Sequence, residues 1–144
     1  MNITYQSAIF NTFHDGGFLF LRRNKRDIDF QIEIQYLASI IDPTYTYFQG
    51  TLINCHQCAF EPWGKEKARY EDIDSINTAI IDMEISNARV EDNRLYIHCL
   101  GDQQTIGGSL SVSCDSIAIF DEGGKEILVD ELLELARRYW KQYE

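Results

Sequence analysis

The chain has 144 residues, 13 Lys and Arg against 23 Asp and Glu for a formal net charge of −10, and 44% hydrophobic residues. That length fits one domain, residues 1–144, around a single core, and 8 Phe, 8 Tyr and 2 Trp supply too much apolar area for a disordered chain. The acidic balance excludes a broad nucleic-acid-binding surface, because releasing counterions from phosphates takes clustered Lys and Arg.

Gly17-Phe18-Leu19-Phe20-Leu21 is the first strand candidate, and Arg22-Arg23-Asn24-Lys25-Arg26 after it is short and polar enough to turn a hairpin. From Asp27 to Leu37, Ile28, Phe30, Ile32, Ile34 and Tyr36 alternate with Asp29, Gln31, Glu33 and Gln35, which predicts a strand with one core face and one wet face. Asp42-Pro43-Thr44 breaks the chain, and Tyr45 to Phe60 reads as one or two strands ended by Glu61-Pro62-Trp63-Gly64. Lys65 to Ser75 fits either a short helix or an exposed loop.

Further strands are expected over Thr78 to Ile85, Arg94 to Leu100, Ser109 to Cys114 and Ser116 to Phe120, separated by turn signals at Glu91-Asp92-Asn93, Gly101-Asp102 and Asp115-Ser116. After Asp121-Glu122-Gly123-Gly124 the apolar period lengthens to that of a helix, with Leu128, Leu132, Leu135, Ala136, Tyr139 and Tyr143 on one stripe. Acids early in that segment and bases late complement the helix dipole. The expected fold is α+β and mainly antiparallel, a sandwich or half-open barrel, with the C-terminal amphipathic helix packed on the sheet.

The N-terminal residues lack the basic segment and apolar run of a leader, and no apolar run approaches the roughly 18–20 residues that cross a bilayer. A cytoplasmic protein with no membrane partner is expected. The four cysteines, Cys55, Cys58, Cys99 and Cys114, are then expected as reduced thiols.

Cys55-His56-Gln57-Cys58 is the most conspicuous chemical cluster, since a C-x-x-C pair can grip a metal from a tight turn. His98 and Cys99, or Cys114, could complete a zinc site, but the second half has no matching ligand spacing, and buried unliganded thiols are the simpler expectation. His14 and Asp15, ahead of Gly16-Gly17, form either a local site or a structural turn in which Asp15 accepts backbone N–H groups. Asp29 with Glu33, and Asp82 with Glu84, lie on the polar faces of their expected strands. Side by side, those faces would make an acidic surface; apart, they would simply be solvated. The basic run Arg22 to Arg26 reads as a solvated hairpin tip.

Phe13-His14-Asp15-Gly16, leading into an apolar strand, a polar turn and the alternating strand from Asp27, resembles a pattern near the N-terminus of several groups of small bacterial proteins. Some of these are assigned as immunity proteins of polymorphic toxin systems. The resemblance implies a mainly β, acidic bacterial protein that binds a toxin rather than catalysing a reaction, and it assigns no functional residue.

The resulting expectation is a non-catalytic, immunity-like binding protein that meets a basic partner with acids from the Glu61 to Glu144 part. Residues 1–60 hold four bases against five acids, 61–92 four against nine and 93–144 five against nine, which places the acidity there. The alternatives are a metal-binding domain or metal-dependent enzyme around Cys55 and Cys58 with His14 or His98, and a small-ligand binder with an aromatic-lined cavity. The oligomeric state is not encoded in any motif of the chain.

Overall fold

The computed structural model describes residues 1–64, 67–102 and 106–144. Among them are seven strands and four helices in the order α1 (Ile3–Thr12), β1 (Gly17–Asn24), β2 (Asp27–Glu33), α2 (Gln35–Ile41), β3 (Tyr47–Pro62), α3 (Ile73–Ile80), β4 (Glu84–Glu91), β5 (Arg94–Leu100), β6 (Gly108–Phe120), β7 (Glu126–Ile127) and α4 (Val129–Lys141). The sheet runs β3-β2-β1-β4-β5-β6-β7, and β3 pairs with β6 as well. Six antiparallel strands therefore close on themselves, with β7 added at the far end of β6. This is the expected sheet-dominated α+β architecture.

The alternating stretch from Asp27 does form a strand, with Ile28, Phe30 and Ile32 buried and the residues between them partly exposed. It ends four residues earlier than the period suggests. Ile34 is still buried, but Gln35 opens α2, where Leu37 and Ala38 are the buried positions. The Tyr45 to Phe60 run is one strand of 16 residues, β3, and the two expected strands on either side of Asp115 are one strand of 13 residues, β6. These two long strands pair along most of their length and form the continuous wall of the barrel.

The expected strand Thr78 to Ile85 is not formed. Its first part belongs to α3, whose N-cap Asp72 accepts the Ser75 amide, and only Glu84 onward is strand. Ile76 and Ile80, four apart, are fully buried on one side of α3, whereas Met83 and Ile85 are buried in the alternating pattern of a strand. A run of apolar residues thus serves two periods in succession, and the strand reading extends the second period too far back. Of the Lys65 to Ser75 segment, Lys65 and Glu66 lie outside the described residues, and α3 begins at Ile73.

Helix α1 has no counterpart among the sequence expectations, and neither have α2 as a helix or the short β7. The ten residues of α1, ITYQSAIFNT, carry no charge, so the sequence lacks the contrast between faces that marks a surface helix. Asn2 caps it by accepting the Thr4 amide at 2.7 Å. Ile9, Phe10 and Phe13 reach the barrel core, where Phe10 meets Phe18 and Phe30, and Phe13 meets Phe48, with ring centroids 5.3–6.2 Å apart. Aromatic residues considered as a possible cavity lining are in these cases core packing. Helix α4 lies across α1 and α2, with Leu132 fully buried and Leu135 and Ala136 partly so.

The ring closes between β1 and β4 through one strand pair, Gly17 opposite Glu84. The preceding loop extends the closure by two bonds: the Asp15 amide donates to the Ile85 carbonyl at 2.8 Å, and the Ile85 amide to the Gly16 carbonyl at 2.7 Å. Beyond this point the two strands part, and asparagine side chains stand in for the missing partner. Asn77 of α3 accepts the Leu21 amide of β1 at 2.6 Å. On the other lip, Asn11 of α1 accepts the Ala88 amide at 2.8 Å and donates to the Ala88 carbonyl at 2.9 Å. Buried strand edges need such partners, since an unpaired backbone group there would lose its hydrogen bonds to water without replacement.

Candidate functional site

The closure of the ring sets the geometry of the most distinctive surface. Gly17 opposes Glu33 on β2 and Glu84 on β4 at the same level of the sheet. Residues in register across antiparallel strands project to the same face, so both carboxylates flank a position with no side chain, two strand spacings or roughly 10 Å apart. Asp15, two residues before Gly17, and Asp82, two before Glu84, border the same depression, a groove of about 310 Å³. Leu19 and Ile81 line it as well and are 37% and 40% exposed. The site is therefore acidic at its ends and apolar along its wall.

Arg22, Arg69, Arg89 and Arg137 pair with Asp29, Glu61, Glu71, Glu91 and Glu134. Among the described residues, no Lys or Arg lies within ion-pair distance of Glu33, Asp82 or Glu84. Four acids face one groove without an internal cation, which concentrates a negative field at that opening.

An aromatic cluster adjoins the groove at Asp15. The His14 ring stacks on Trp140 of α4 at 5.5 Å and 17°, and its Nδ1 lies 2.7 Å from the Asn11 carbonyl. Tyr36 of α2 donates its hydroxyl to the His14 carbonyl at 3.1 Å and packs on Tyr139 with centroids 4.4 Å apart. Trp140 and Tyr143 complete the cluster and are 42% and 66% exposed. Burial, followed by the nearby charges of Asp15, Tyr139 and Glu84, raises the Tyr36 hydroxyl to about 12. The folded state thus holds this proton more tightly than the unfolded chain does. The Tyr36 contribution to stability is complete below about pH 10 and is lost as pH rises from about 10 to 12. A tyrosinate absorbance titration should show a late-ionising phenol that disappears in Tyr36→Phe; an unchanged titration would contradict the placement of this ring.

The structure sorts the residues singled out in the sequence. Glu33, Asp82 and Glu84 come together at the groove, although Asp82 sits in the turn before β4 rather than within a strand. Asp29 does not join them. It faces Arg22 at 3.8 Å and accepts the Thr51 hydroxyl at 3.0 Å, and it lies four residues, roughly 13 Å, along β2 from Glu33. Two of the groove acids, Asp15 and Glu33, come from the nearly neutral first part of the chain, so the acidic face is not confined to residues 61–144. Asp15 adopts φ +74° and uses its backbone amide to close the ring, while its side chain borders the groove beside His14, 3.6 Å away. The two glycines after it supply less of the turn than this left-handed aspartate does.

Cys55 and Cys58 are neighbours on β3, but His98 and Cys99 lie elsewhere. Cys99 is in register with Gly108, whereas Cys58 and Cys55 oppose Val112 and Cys114, four and six residues further along β6. At about 3.3 Å per residue these separations are roughly 13 and 20 Å. Cys99 is fully buried, and burial pushes its thiol up to about 12. His98 holds the Ser109 hydroxyl with Nδ1 at 2.8 Å, and the Trp63 indole donates to the same oxygen at 2.9 Å. Burial, with the Arg89 charge, lowers the His98 value. Among the described residues, no group of three or more His, Cys, Asp or Glu is placed to hold a metal ion.

The Trp140 to Tyr143 cluster and the part played by Asp15 are the site features that sequence reasoning missed. The signal for the first was present: Tyr139, Trp140 and Tyr143 crowd the end of a helix whose core contact is made earlier, by Leu132. No family model, curated protein or solved structure matches the chain significantly.

Proposed function

We propose that the chain is a non-catalytic binding protein of the immunity type, which engages a basic protein partner at the groove between Glu33 and Glu84. The observation that supports this most is the meeting of Asp15, Glu33, Asp82 and Glu84 around Gly17, beside exposed Leu19 and Ile81 and the Trp140–Tyr143 cluster. Acids of this kind speed encounter and select cationic partners. Exposed aromatics at their margin supply the desolvated anchors that carry most interface energy, and their faces accept Lys or Arg side chains.

The basic hairpin supports the same polarity. Strand β1 runs from Gly17 in the groove to Asn24 beside Lys25 and Arg26, so the acidic opening and the basic tip are separated by roughly 23 Å of extended chain. A basic partner is attracted at one end of β1 and repelled at the other, which orients its approach.

The test is affinity capture from the native host with two baits, the wild-type chain and Glu33→Gln/Asp82→Asn/Glu84→Gln. These side chains are exposed, so the variant is expected to fold. The expected result is a basic protein retained by wild type in low salt, lost at high salt, and reduced at least tenfold on the variant. Equal capture of the same proteins by both baits would refute the reading.

A further inference from the structure

Cys55 and Cys58 on β3 and Cys114 on β6 form an arrangement that the binding role does not use. Cys55 stands directly across from Cys114 in the β3–β6 ladder. The Cys55 amide does not point at β6; it donates to the Arg26 carbonyl at 2.7 Å. In an antiparallel ladder this marks a pair without mutual backbone bonds, where the Cα atoms approach to about 4.5 Å and the side chains are closest. A disulfide spans Cα separations of roughly 4.4–6.8 Å.

The local distortion adds a third sulfur. The β3–β6 register slips between Cys55 and Gln57, so His56 is an extra residue and Cys58 returns to the side of Cys55. The Cys55 thiol donates to the Gln57 carbonyl at 3.3 Å, and the neighbouring Cys58 thiol, helped by the charges of Arg23 and His56, lowers the Cys55 value against the opposing effect of burial. Cys58 itself is raised, by its neighbour Cys55 and by burial. Burial, then the neighbouring Cys55, pushes Cys114 up to about 12. One sulfur is thus poised as the nucleophile, one supports it, and one faces it in disulfide register.

There is also a way in. Cys114 is half-buried and lines a groove of about 500 Å³ with Met1, Asn2, Gln6 and His56. Cys55 keeps 9% of its surface exposed, whereas Cys99 has none.

We propose that Cys55 and Cys114 are a reversible oxidation site that forms a cross-strand disulfide when the protein meets a hydroperoxide. The Cys55 thiolate attacks the outer peroxide oxygen; the O–O bond breaks, the alcohol or water leaves with a proton, and Cys55 becomes a sulfenic acid. The Cys114 sulfur then attacks the Cys55 sulfur, its proton leaves with the displaced hydroxide as water, and the S–S bond forms. In sum, two thiols and one hydroperoxide give one disulfide, one alcohol and one water. A dithiol reductant reverses the bond.

The experiment treats the folded, reduced full chain with a small excess of hydrogen peroxide, alkylates the remaining thiols, and maps the peptides without reduction. The expected result is a Cys55–Cys114 linked peptide, loss of alkylation at those two positions, and Cys58 and Cys99 still alkylated. Dithiothreitol should restore all four. In Cys114→Ser the link should vanish and Cys55 should instead be captured by a dione probe for sulfenic acid. A wild-type link between Cys55 and Cys58, a link that forms only in denaturant, or four thiols unchanged by peroxide would each overturn the proposal. The wild-type map decides the matter even where the serine variant does not fold.

Discussion

Phe10→Ala should destabilise the protein by about 3–5 kcal/mol, the cost of removing a large buried ring and leaving a cavity that the surroundings only partly refill. Phe10 is 1% exposed and lies against Phe13, Phe18 and Phe30 with centroids 5.6–6.4 Å apart. With Ile9 and Phe13 it carries α1 into the barrel core, so the ring anchors a helix as well as filling volume. Against a typical total of about 5–15 kcal/mol for a domain, the loss is a third or more. Chemical denaturation of wild type and variant measures it directly. A difference below about 1 kcal/mol would mean that α1 is not docked on the core at all.

The second large effect comes from the same knot of rings, approached from the opposite side. Gly50 on β3 pairs with Phe30, whose ring lies flat across it; a Cβ on Gly50 would fall 2.2 Å from the ring Cζ and 2.6–2.7 Å from both Cε atoms. A phenylalanine tip is cheap to move only where it has somewhere to go. Here Phe10 and Phe18 hold it from above, with centroids 5.6 and 6.0 Å away. Gly50→Ala is therefore expected to cost about 1–3 kcal/mol as overpacking, despite the small gain alanine brings by restricting the unfolded chain. The two substitutions should also couple. With Phe10 truncated, the Phe30 ring has room to shift, so Gly50→Ala should cost about 1 kcal/mol less in the Phe10→Ala background than alone. Strict additivity would show that the ring does not transmit the strain.

Much of the sheet was legible because its residues obey one period at a time. Ile28, Phe30 and Ile32 alternate with polar partners and are buried as the pattern requires, and the C-terminal helix shows the expected shift to Leu132, Leu135 and Ala136. The errors fall where that condition fails. Ile34 and Tyr36 continue the alternation into a helix, and Ile76, Ile80, Met83 and Ile85 can be read at either spacing, with the N-cap Asp72 as the only local sign of which comes first. Helix α1 has no charged face, because it is a partner of the core rather than a cover for it.

The candidate site was half legible for a different reason. Glu33 and Glu84 were recognisable as acids on wet strand faces, but 51 positions separate them in the chain. Only the closure at Gly17 makes them neighbours, and nothing local encodes a pairing over that distance. The same holds for Cys55 and Cys114, whose relation follows from a register that no motif announces.

That closure makes the barrel a split ring. The lips at β1 and β4 are joined by Gly17, Glu84 and two loop bonds, and past them each lip is tied to a helix by an asparagine rather than to the other strand. The seam has one strand pair where every other junction of the ring has five or more, which makes it the least-paired junction of the barrel. The acids that would hold a partner sit on opposite sides of that seam, Glu33 on β2 behind one lip and Glu84 on the other. A partner that touches both acts as a clasp, and its affinity and the closing of the ring then draw on a single free energy.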